Sequence, residues 1–90
     1  MKIDITKASV KFLEKLQPKQ FRQIVRSIYK LREAPNPQDA KKLVGCPEYQ
    51  RIDVGDFRIV YRVENDGLKI AVIGRRNDDE VYKKFARKNL

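Results

Sequence analysis

Arginine side chains recur through the second half of the chain, at positions 51, 58, 62, 75 and 76, beside stretches that read as strands. A guanidinium group remains charged at all relevant pH values and donates paired hydrogen bonds to phosphate. RNA can be cleaved without a metal ion or a histidine when the neighbouring 2′-hydroxyl attacks the phosphate. The protein must then orient the hydroxyl, stabilise the charge of the phosphorane and assist departure of the 5′-oxygen. The pattern therefore favours a basic sheet face that acts on RNA.

The composition excludes several other kinds of site. The 90 residues include no histidine and one cysteine, which excludes the common zinc sites and the Ser-His-Asp and Cys-His schemes. A lone Cys46 forms no intrachain disulfide, and nothing suggests a membrane segment or export, so we expect a cytoplasmic protein. The length predicts one domain, residues 1–90. We expect no cofactor and no metal.

The net charge predicts an anionic partner. Lys and Arg total 21 against 12 Asp and Glu, which gives a formal charge of +9. Nucleic acid is the first partner to consider, although many basic domains only dock on acidic proteins. The charge therefore leaves both kinds of partner open.

The first half of the chain predicts one strand and a helical hairpin. Residues 2–5 alternate polar and apolar side chains, as a short strand does. Thr6 caps a first helix that runs from Lys7 to about Leu16. A second helix begins at Pro18 and ends near Glu33, and its apolar stripe needs a sheet to cover. Residues 34–39 form a loop because two prolines fall within three residues.

A two-residue turn at Gly55-Asp56 fixes the pairing of the next two strands. A type II′ turn with glycine first places Val54 opposite Phe57 and Asp53 opposite Arg58. Side chains alternate between the faces of a sheet, so one face is apolar and packs on the helices. The other, open face carries Tyr49, Arg51, Asp53, Arg58 and Arg62 around Val60.

A second turn at residues 65–67 returns the chain as a third strand. Alternation predicts Ile70 and Val72 on the helix side, and Lys69, Ala71, Ile73 and Arg75 on the open face. An apolar strip of Val60, Ala71 and Ile73 then needs a cover, which a last helix from about Asp78 to Lys88 can supply through Val81, Tyr82, Phe85 and Ala86. The order β-α-α-β-β-β-α predicts an α+β fold, with an antiparallel sheet on the N-terminal hairpin and the C-terminal helix near the open face.

Several short motifs in this order are similar to those of a known family. They are residues 42–47 (KLVGCP), Arg51-Ile52, residues 55–61 (GDFRIVY), residues 74–76 (GRR) and residues 80–82 (EVY). Together they resemble the RelE toxins of bacterial and archaeal toxin–antitoxin pairs, within the RelE/ParE superfamily. The resemblance extends over essentially the whole chain.

This resemblance implies an mRNA endonuclease that works in the ribosomal A site, contacts 16S rRNA and is inhibited by a RelB-like antitoxin with an acidic segment. It assigns Arg51 to orienting the substrate and activating the hydroxyl, and Arg58 to the phosphate transition state. It assigns Arg76 to the leaving group and Tyr82 to stacking on the mRNA. We expect further RNA contacts from Arg62, Arg75, Lys83 and Lys84.

Asp53 departs from the family pattern, because RelE toxins commonly carry a second lysine or arginine at this position. Three roles are open for its carboxylate. It could only form a surface ion pair with Arg58, it could weaken phosphate binding, or it could act as a base for the 2′-hydroxyl. Of the two functional roles, we favour weakened phosphate binding over the base. Two other functions also remain open. One is a ParE-like toxin that poisons DNA gyrase, and the other is a basic binding module without catalysis.

Overall fold

The computed structural model describes residues 1–77 and 80–88, with side chains as far as residue 87. Their elements follow the order β1 (Lys2–Ile5), α1 (Lys7–Glu14), α2 (Pro18–Glu33), β2 (Lys41–Leu43), β3 (Cys46–Val54), β4 (Phe57–Glu64), β5 (Gly67–Arg75) and α3 (Glu80–Lys88). Within this part of the chain the strands form one sheet in the order β1-β5-β4-β3-β2. The α+β fold predicted from the sequence is confirmed.

The helical hairpin packs on one face of the sheet. Ile24, Ile28 and Leu31 of α2 are almost completely buried against the apolar face of β3 and β4. Thr6 caps α1 as predicted, since its hydroxyl accepts a hydrogen bond from the backbone N–H of Ser9. Tyr61, also in this core, places its hydroxyl 2.7 Å from the carbonyl oxygen of Pro35 and so attaches the loop that follows α2.

The predicted hairpin between β3 and β4 is confirmed in every pair that was specified. Val54 pairs with Phe57, Asp53 with Arg58, and Arg51 with Val60. Gly55 adopts a φ of +58°, a left-handed value that glycine takes without steric cost. The two-residue turn thus brings Asp53 and Arg58 together on the open face.

Two features of the sheet differ from the prediction. Residues 41–43 form the additional edge strand β2, which pairs with β3 and is absent from the order predicted from the sequence. Strand β1 pairs with β5 in the parallel direction, so the sheet is mixed and not wholly antiparallel. A parallel neighbour is possible here because α1 and α2 carry the chain away from the sheet after β1.

A bulge in β5 corrects the predicted faces of that strand. Val60 pairs with Val72 while Tyr61 pairs with Ile70, which leaves Ala71 as the extra residue. From there the alternation is reversed: Val72 joins the open face and Ile73 joins the core under the helices. The apolar strip therefore consists of Val60, Ala71 and Val72.

Helix α3 covers this strip. Val81 and Phe85 are buried against it, in a cluster that also includes Leu43 of β2. The ring of Phe85 meets the ring of Tyr49 edge-on, with 4.7 Å between centroids. The cover predicted for the strip is confirmed for Val81, Phe85 and the partly buried Tyr82, but the prediction is wrong for Ala86, which is exposed. The helix is described over Glu80–Lys88, and the predicted start at Asp78 lies outside the described residues. No described helix is long and apolar enough to cross a membrane.

Candidate phosphate-binding site

The centre of the candidate site is a pair of side chains on neighbouring strands. Arg58 Nε lies 2.7 Å from Asp53 Oδ1, and its Nη2 lies 3.4 Å from Oδ2. The Arg58 side chain is only 14% exposed, whereas that of Asp53 is 39% exposed. The guanidinium is thus fixed at the surface of the sheet with a carboxylate on its solvent side.

Two more arginines act on the same carboxylate. The hydrogen bond from Arg58 lowers the pKa of Asp53, partial burial opposes this, and the charges of Arg58, Arg51 and Arg76 lower it further. Arg51 comes from β3, and its side-chain Nε is buried without a partner among the described residues. One guanidinium group thus binds the carboxylate, and two more are near enough for their charges to act on it.

The backbone fixes Arg76 at the end of β5. Its N–H donates a hydrogen bond to the carbonyl oxygen of Asp56, with 2.9 Å between the two atoms. Asp56 belongs to the turn between β3 and β4, so this bond joins the end of β5 to the turn that follows Asp53. The Arg76 side chain is exposed, and its charge acts on the carboxylate of Asp53.

Such an arrangement binds a tetrahedral anion well. A phosphodiester carries one negative charge, as a carboxylate does, and the phosphorane formed from it carries more, so it can accept hydrogen bonds from the forks of several guanidinium groups. The lowered pKa keeps Asp53 ionised at neutral pH and makes it a poor base for a hydroxyl proton.

The side chain of Tyr82 extends from α3 to the turn that joins β2 to β3. Its hydroxyl accepts a long hydrogen bond of 3.5 Å from the backbone N–H of Val44, and its ring packs beside the Val60 cluster. The side chain remains partly exposed.

Helix α3 approaches the sheet closely at Gly74, where an added Cβ would lie 3.1 Å from Val81 Cγ1.

Two of the arginines predicted to contact RNA are engaged elsewhere. Arg62 is hydrogen-bonded to Glu64, which raises the pKa of Arg62, and its guanidinium lies 5.3 Å from the centroid of the Tyr49 ring. The prediction that Arg75 lies on the open face is wrong. Because of the bulge in β5, its guanidinium lies over the ring of Phe57 on the helix side, 5.6 Å from the centroid.

The two lysines predicted to contact RNA differ in their surroundings. Lys83 is exposed. Lys84 turns toward α1, where its Nζ donates to the carbonyl oxygen of Ile73 at 3.1 Å and lies 4.2 Å from the centroid of the Phe12 ring. It also pairs with Glu80 one turn earlier. Lys84 thus fixes α3 to the edge of β5.

Two residues that position the site carried little signal in the sequence. The carboxylate of Glu80 accepts a hydrogen bond from the backbone N–H of Arg75, which ties the start of α3 to the end of β5. Leu43 is buried under α3. Its strand, β2, has only three residues, which are too few to show the alternation of a strand in the sequence.

A comparison with protein families shows which family the chain belongs to. Residues 3–80 match the family described as the ParE toxin of the type II toxin–antitoxin system parDE. The chain belongs to the RelE/ParE superfamily of toxins. This confirms the superfamily that the sequence motifs indicated. No curated protein matches this superfamily member by sequence.

Solved structures of RelE and ParE toxins share its fold. The free E. coli toxin RelE, in a mutant form, superposes with a TM-score of 0.79 and 22% identity, over 99% of this chain and 97% of that chain. In the archaeal RelE–RelB complex from Pyrococcus horikoshii OT3, the matching chain has a TM-score of 0.75 and 27% identity, over 86% and 96% of the two chains.

A ParE system also resembles this superfamily member. A chain of the chromosomal ParDE system from P. aeruginosa superposes with a TM-score of 0.67 and 20% identity, over 83% of this chain and 95% of that chain. The superfamily fold is therefore common to toxins of both names, and the arginine site has to be judged on its own chemistry.

Proposed function

We propose that this toxin is a metal-independent endoribonuclease that cleaves mRNA in the ribosomal A site and so inhibits translation. The observation that carries this proposal is the ion pair of Arg58 with Asp53, together with the charges of Arg51 and Arg76 that act on the same carboxylate. Three guanidinium groups around one anion form a site for a phosphodiester. A protein that only docks on another protein has no need of such a set.

The proposed reaction uses the RNA as its own nucleophile. The 2′-oxygen forms a bond to phosphorus while the bond between phosphorus and the 5′-oxygen breaks. Water takes the proton of the 2′-hydroxyl and returns one to the 5′-oxygen. The products are a 2′,3′-cyclic phosphate and a 5′-hydroxyl end, so electrons and atoms balance without a cofactor.

The residue roles follow from the position of each group. Arg58 is fixed in the sheet and stabilises the phosphorane, a contribution of about 3 kcal/mol for one preorganised donor. Arg51, with its unpartnered Nε, orients the substrate and the attacking hydroxyl. Arg76 is exposed and assists the leaving 5′-oxygen, and Tyr82 stacks on a base of the mRNA.

Asp53 reduces the activity of this site in our proposal. Its carboxylate takes the hydrogen bonds of Arg58 that a phosphate needs, so the RNA must displace it. The lowered pKa argues against its use as a base. We therefore assign Asp53 a modulating and not a catalytic role.

The proposed partners are ribosome-bound mRNA, 16S rRNA and a RelB-like antitoxin in the cytoplasm. Exposed Lys83 and the partly exposed Arg62 serve as RNA contacts, whereas Arg75, over Phe57 on the helix side, and Lys84, bonded to Ile73 beside α1, are not assigned this role. The antitoxin inhibits by covering the arginines with an acidic segment or by displacing α3. RelE–RelB complexes among the structural relatives support a partner of this kind.

The second candidate function is inhibition of DNA gyrase. It is favoured by the family match to ParE and by the fold shared with a ParDE system. A gyrase inhibitor gives no role to three arginines whose charges act on one carboxylate, and for that reason we place it second.

Parallel assays separate these functions. The toxin is added to a cell-free translation reaction, where mRNA ends are mapped by primer extension, and to a gyrase supercoiling reaction. We expect new 5′-hydroxyl ends within translated codons and unchanged supercoiling. Inhibited supercoiling with intact mRNA would establish the gyrase function. Intact mRNA together with normal supercoiling would favour the remaining alternative, a basic binding module without catalysis.

A further inference from the structure

Glu80 is the first residue of the motif at positions 80–82, and the proposed reaction gives it no role. Its carboxylate accepts a hydrogen bond from the backbone N–H of Arg75, the last residue of β5. The same oxygen, Oε2, lies 3.6 Å from Nζ of Lys84, one turn further along α3. Glu80 therefore connects the end of β5 to the first two turns of α3.

The bond between Glu80 and Arg75 lies beside the backbone of Arg76. The N–H of Arg76 donates to the carbonyl oxygen of Asp56 at 2.9 Å. Two consecutive N–H groups thus attach the end of β5, one to α3 and the other to the turn between β3 and β4. Loss of the bond to Glu80 removes the connection to α3 that is nearest in sequence to Arg76.

The backbone of β5 passes close to Glu80 at Gly74, which pairs with Arg58 on β4. A Cβ added at Gly74 would lie 2.7 Å from Glu80 Oε2, closer than side-chain carbons approach other atoms in proteins. The carboxylate thus occupies the space that a side chain at position 74 would need. Glu80 therefore meets β5 at the level of the arginine that is paired with Asp53.

The same helix carries Tyr82 two residues after Glu80. That step is about 3 Å along the helix axis and about 200° around it, so the two side chains leave α3 on different sides. Glu80 reaches the backbone of β5, whereas the Tyr82 hydroxyl reaches the backbone N–H of Val44. A shift of the first turn of α3 therefore moves the ring of Tyr82 relative to Arg76.

We propose that Glu80 is a positioning residue of the cleavage site, which sets the separation between Arg76 and Tyr82 through its bond to the backbone of Arg75. It acts through these two side chains and does not contact the RNA. The inference rests on the proposed function, because a leaving-group contact and a stacked base on one RNA strand require a fixed separation. Misplacement of a group by about 1 Å can reduce a reaction rate on the order of 10²-fold.

A purely electrostatic role for Glu80 predicts different variant behaviour. An acidic group in the first turn stabilises a helix through its dipole, and a glutamate four residues before a lysine forms a favourable pair. Both effects require the charge, whereas the bond to Arg75 requires an acceptor oxygen with the reach of a glutamate side chain. Glu80→Gln keeps that oxygen and loses the charge. Glu80→Asp keeps the charge and loses the reach, so the two variants separate the roles.

Single-turnover cleavage of ribosome-bound mRNA measures the effect. Glu80→Ala and Glu80→Asp should reduce the rate about 30-fold, whereas Glu80→Gln should stay within about threefold of the wild-type rate. Affinity for the ribosome should change less than about twofold, because the carboxylate does not contact RNA. The control is Glu33→Ala, which removes an exposed carboxylate at the end of α2 and should cleave like the wild type.

A double variant adds a measurement that a merely structural role would not change. In the Arg76→Ala background, Glu80→Ala should reduce the rate by less than about threefold, because one of the two groups that it positions is already absent. The amide of Arg75 should exchange slowly with solvent in the wild type and in Glu80→Gln, and faster in Glu80→Ala and Glu80→Asp. Circular dichroism checks folding. If Glu80→Ala is unfolded, Glu80→Gln and Glu80→Asp decide the question.

The inference is wrong if Glu80→Ala cleaves as fast as Glu33→Ala, or if Glu80→Asp retains the rate and Glu80→Gln loses it. It is equally wrong if Glu80→Ala reduces the rate by the same factor with and without Arg76, or if it leaves the exchange of the Arg75 amide unchanged. Each of these outcomes leaves the proposed function intact. Intact mRNA with the wild-type toxin contradicts the proposed function instead, and the inference with it.

Discussion

Arg58 and Asp53 lie opposite each other on β4 and β3, and the guanidinium binds the carboxylate through Nε–Oδ1 and Nη2–Oδ2 contacts of 2.7 and 3.4 Å. Arg51 and Arg76 are near enough for their charges to lower the pKa of the same carboxylate. An acidic side chain thus stands where the proposed reaction needs a phosphate.

Replacing Asp53 should raise activity. Asp53→Asn removes a competing interaction of about 1 kcal/mol and should speed cleavage of ribosome-bound mRNA about fivefold, and Asp53→Lys should speed it at least as much. The control is Asp56→Asn, which neutralises an exposed carboxylate in the adjacent turn. Near-total loss of cleavage in both Asp53 variants would identify Asp53 as the base.

The Asp53 ion pair should make a small contribution to stability that depends on pH. Its pKa is lowered in the folded state, so the contribution is present above the unfolded pKa of about 3.9 and is lost as pH falls further. Asp53→Asn should cost less than about 1 kcal/mol at pH 7, and the cost should decrease as pH falls below the unfolded pKa. Urea unfolding at several pH values measures this, and a difference that grows at low pH would contradict it.

The hairpin that carries this pair could be predicted from the sequence because a two-residue turn fixes the register of its strands. Asp53 and Arg58 therefore came together as expected. The bulge at Ala71 could not be predicted, because the extra residue depends on how α3 and β1 pack on β5. It reverses the faces of Val72 and Ile73 and moves Arg75 to the helix side.

Three other features were not predicted from the sequence, and each has a local cause. Strand β2 contains only three residues and is defined by its partner β3 more than by its own pattern. The alternation of residues 2–5 predicts a strand but contains no information about its direction, which is parallel to β5. The sequence predicts an RNA contact for Lys84, and its position over the Phe12 ring of α1 depends on tertiary packing that the sequence does not show.

Phe85 should hold α3 on the sheet. Phe85→Ala removes the contact with Tyr49 and a buried ring, a loss of about 3 kcal/mol for a well-packed site. Hydrogen exchange should then show faster exchange of α3 amides, with those of β4 still protected. Lys83→Ala, on the exposed side of the same helix, is the control. Unchanged protection of α3 would show that other contacts hold the helix.

Tyr61 should stabilise the loop after α2. Its hydroxyl contacts Pro35 and Gln50, so Tyr61→Phe should lower the free energy of unfolding by about 1–3 kcal/mol. Burial raises the pKa of Tyr61 to about 12, so this stabilisation is complete below pH 10 and declines as pH rises toward 12. Tyr29→Phe, at an exposed site on α2, should have no such effect. Equal stability of both variants would refute this account.

The rate of mRNA cleavage on the ribosome by Arg58→Ala tests the central claim most directly. Single-turnover measurements should show a loss of about 10²–10³-fold, the cost of removing one preorganised donor to the transition state. Arg22→Ala removes the same charge from α2, away from the sheet face that carries Asp53, and should cleave at nearly the wild-type rate. If Arg58→Ala cleaves as fast as Arg22→Ala, the arginines at Asp53 are not the catalytic site.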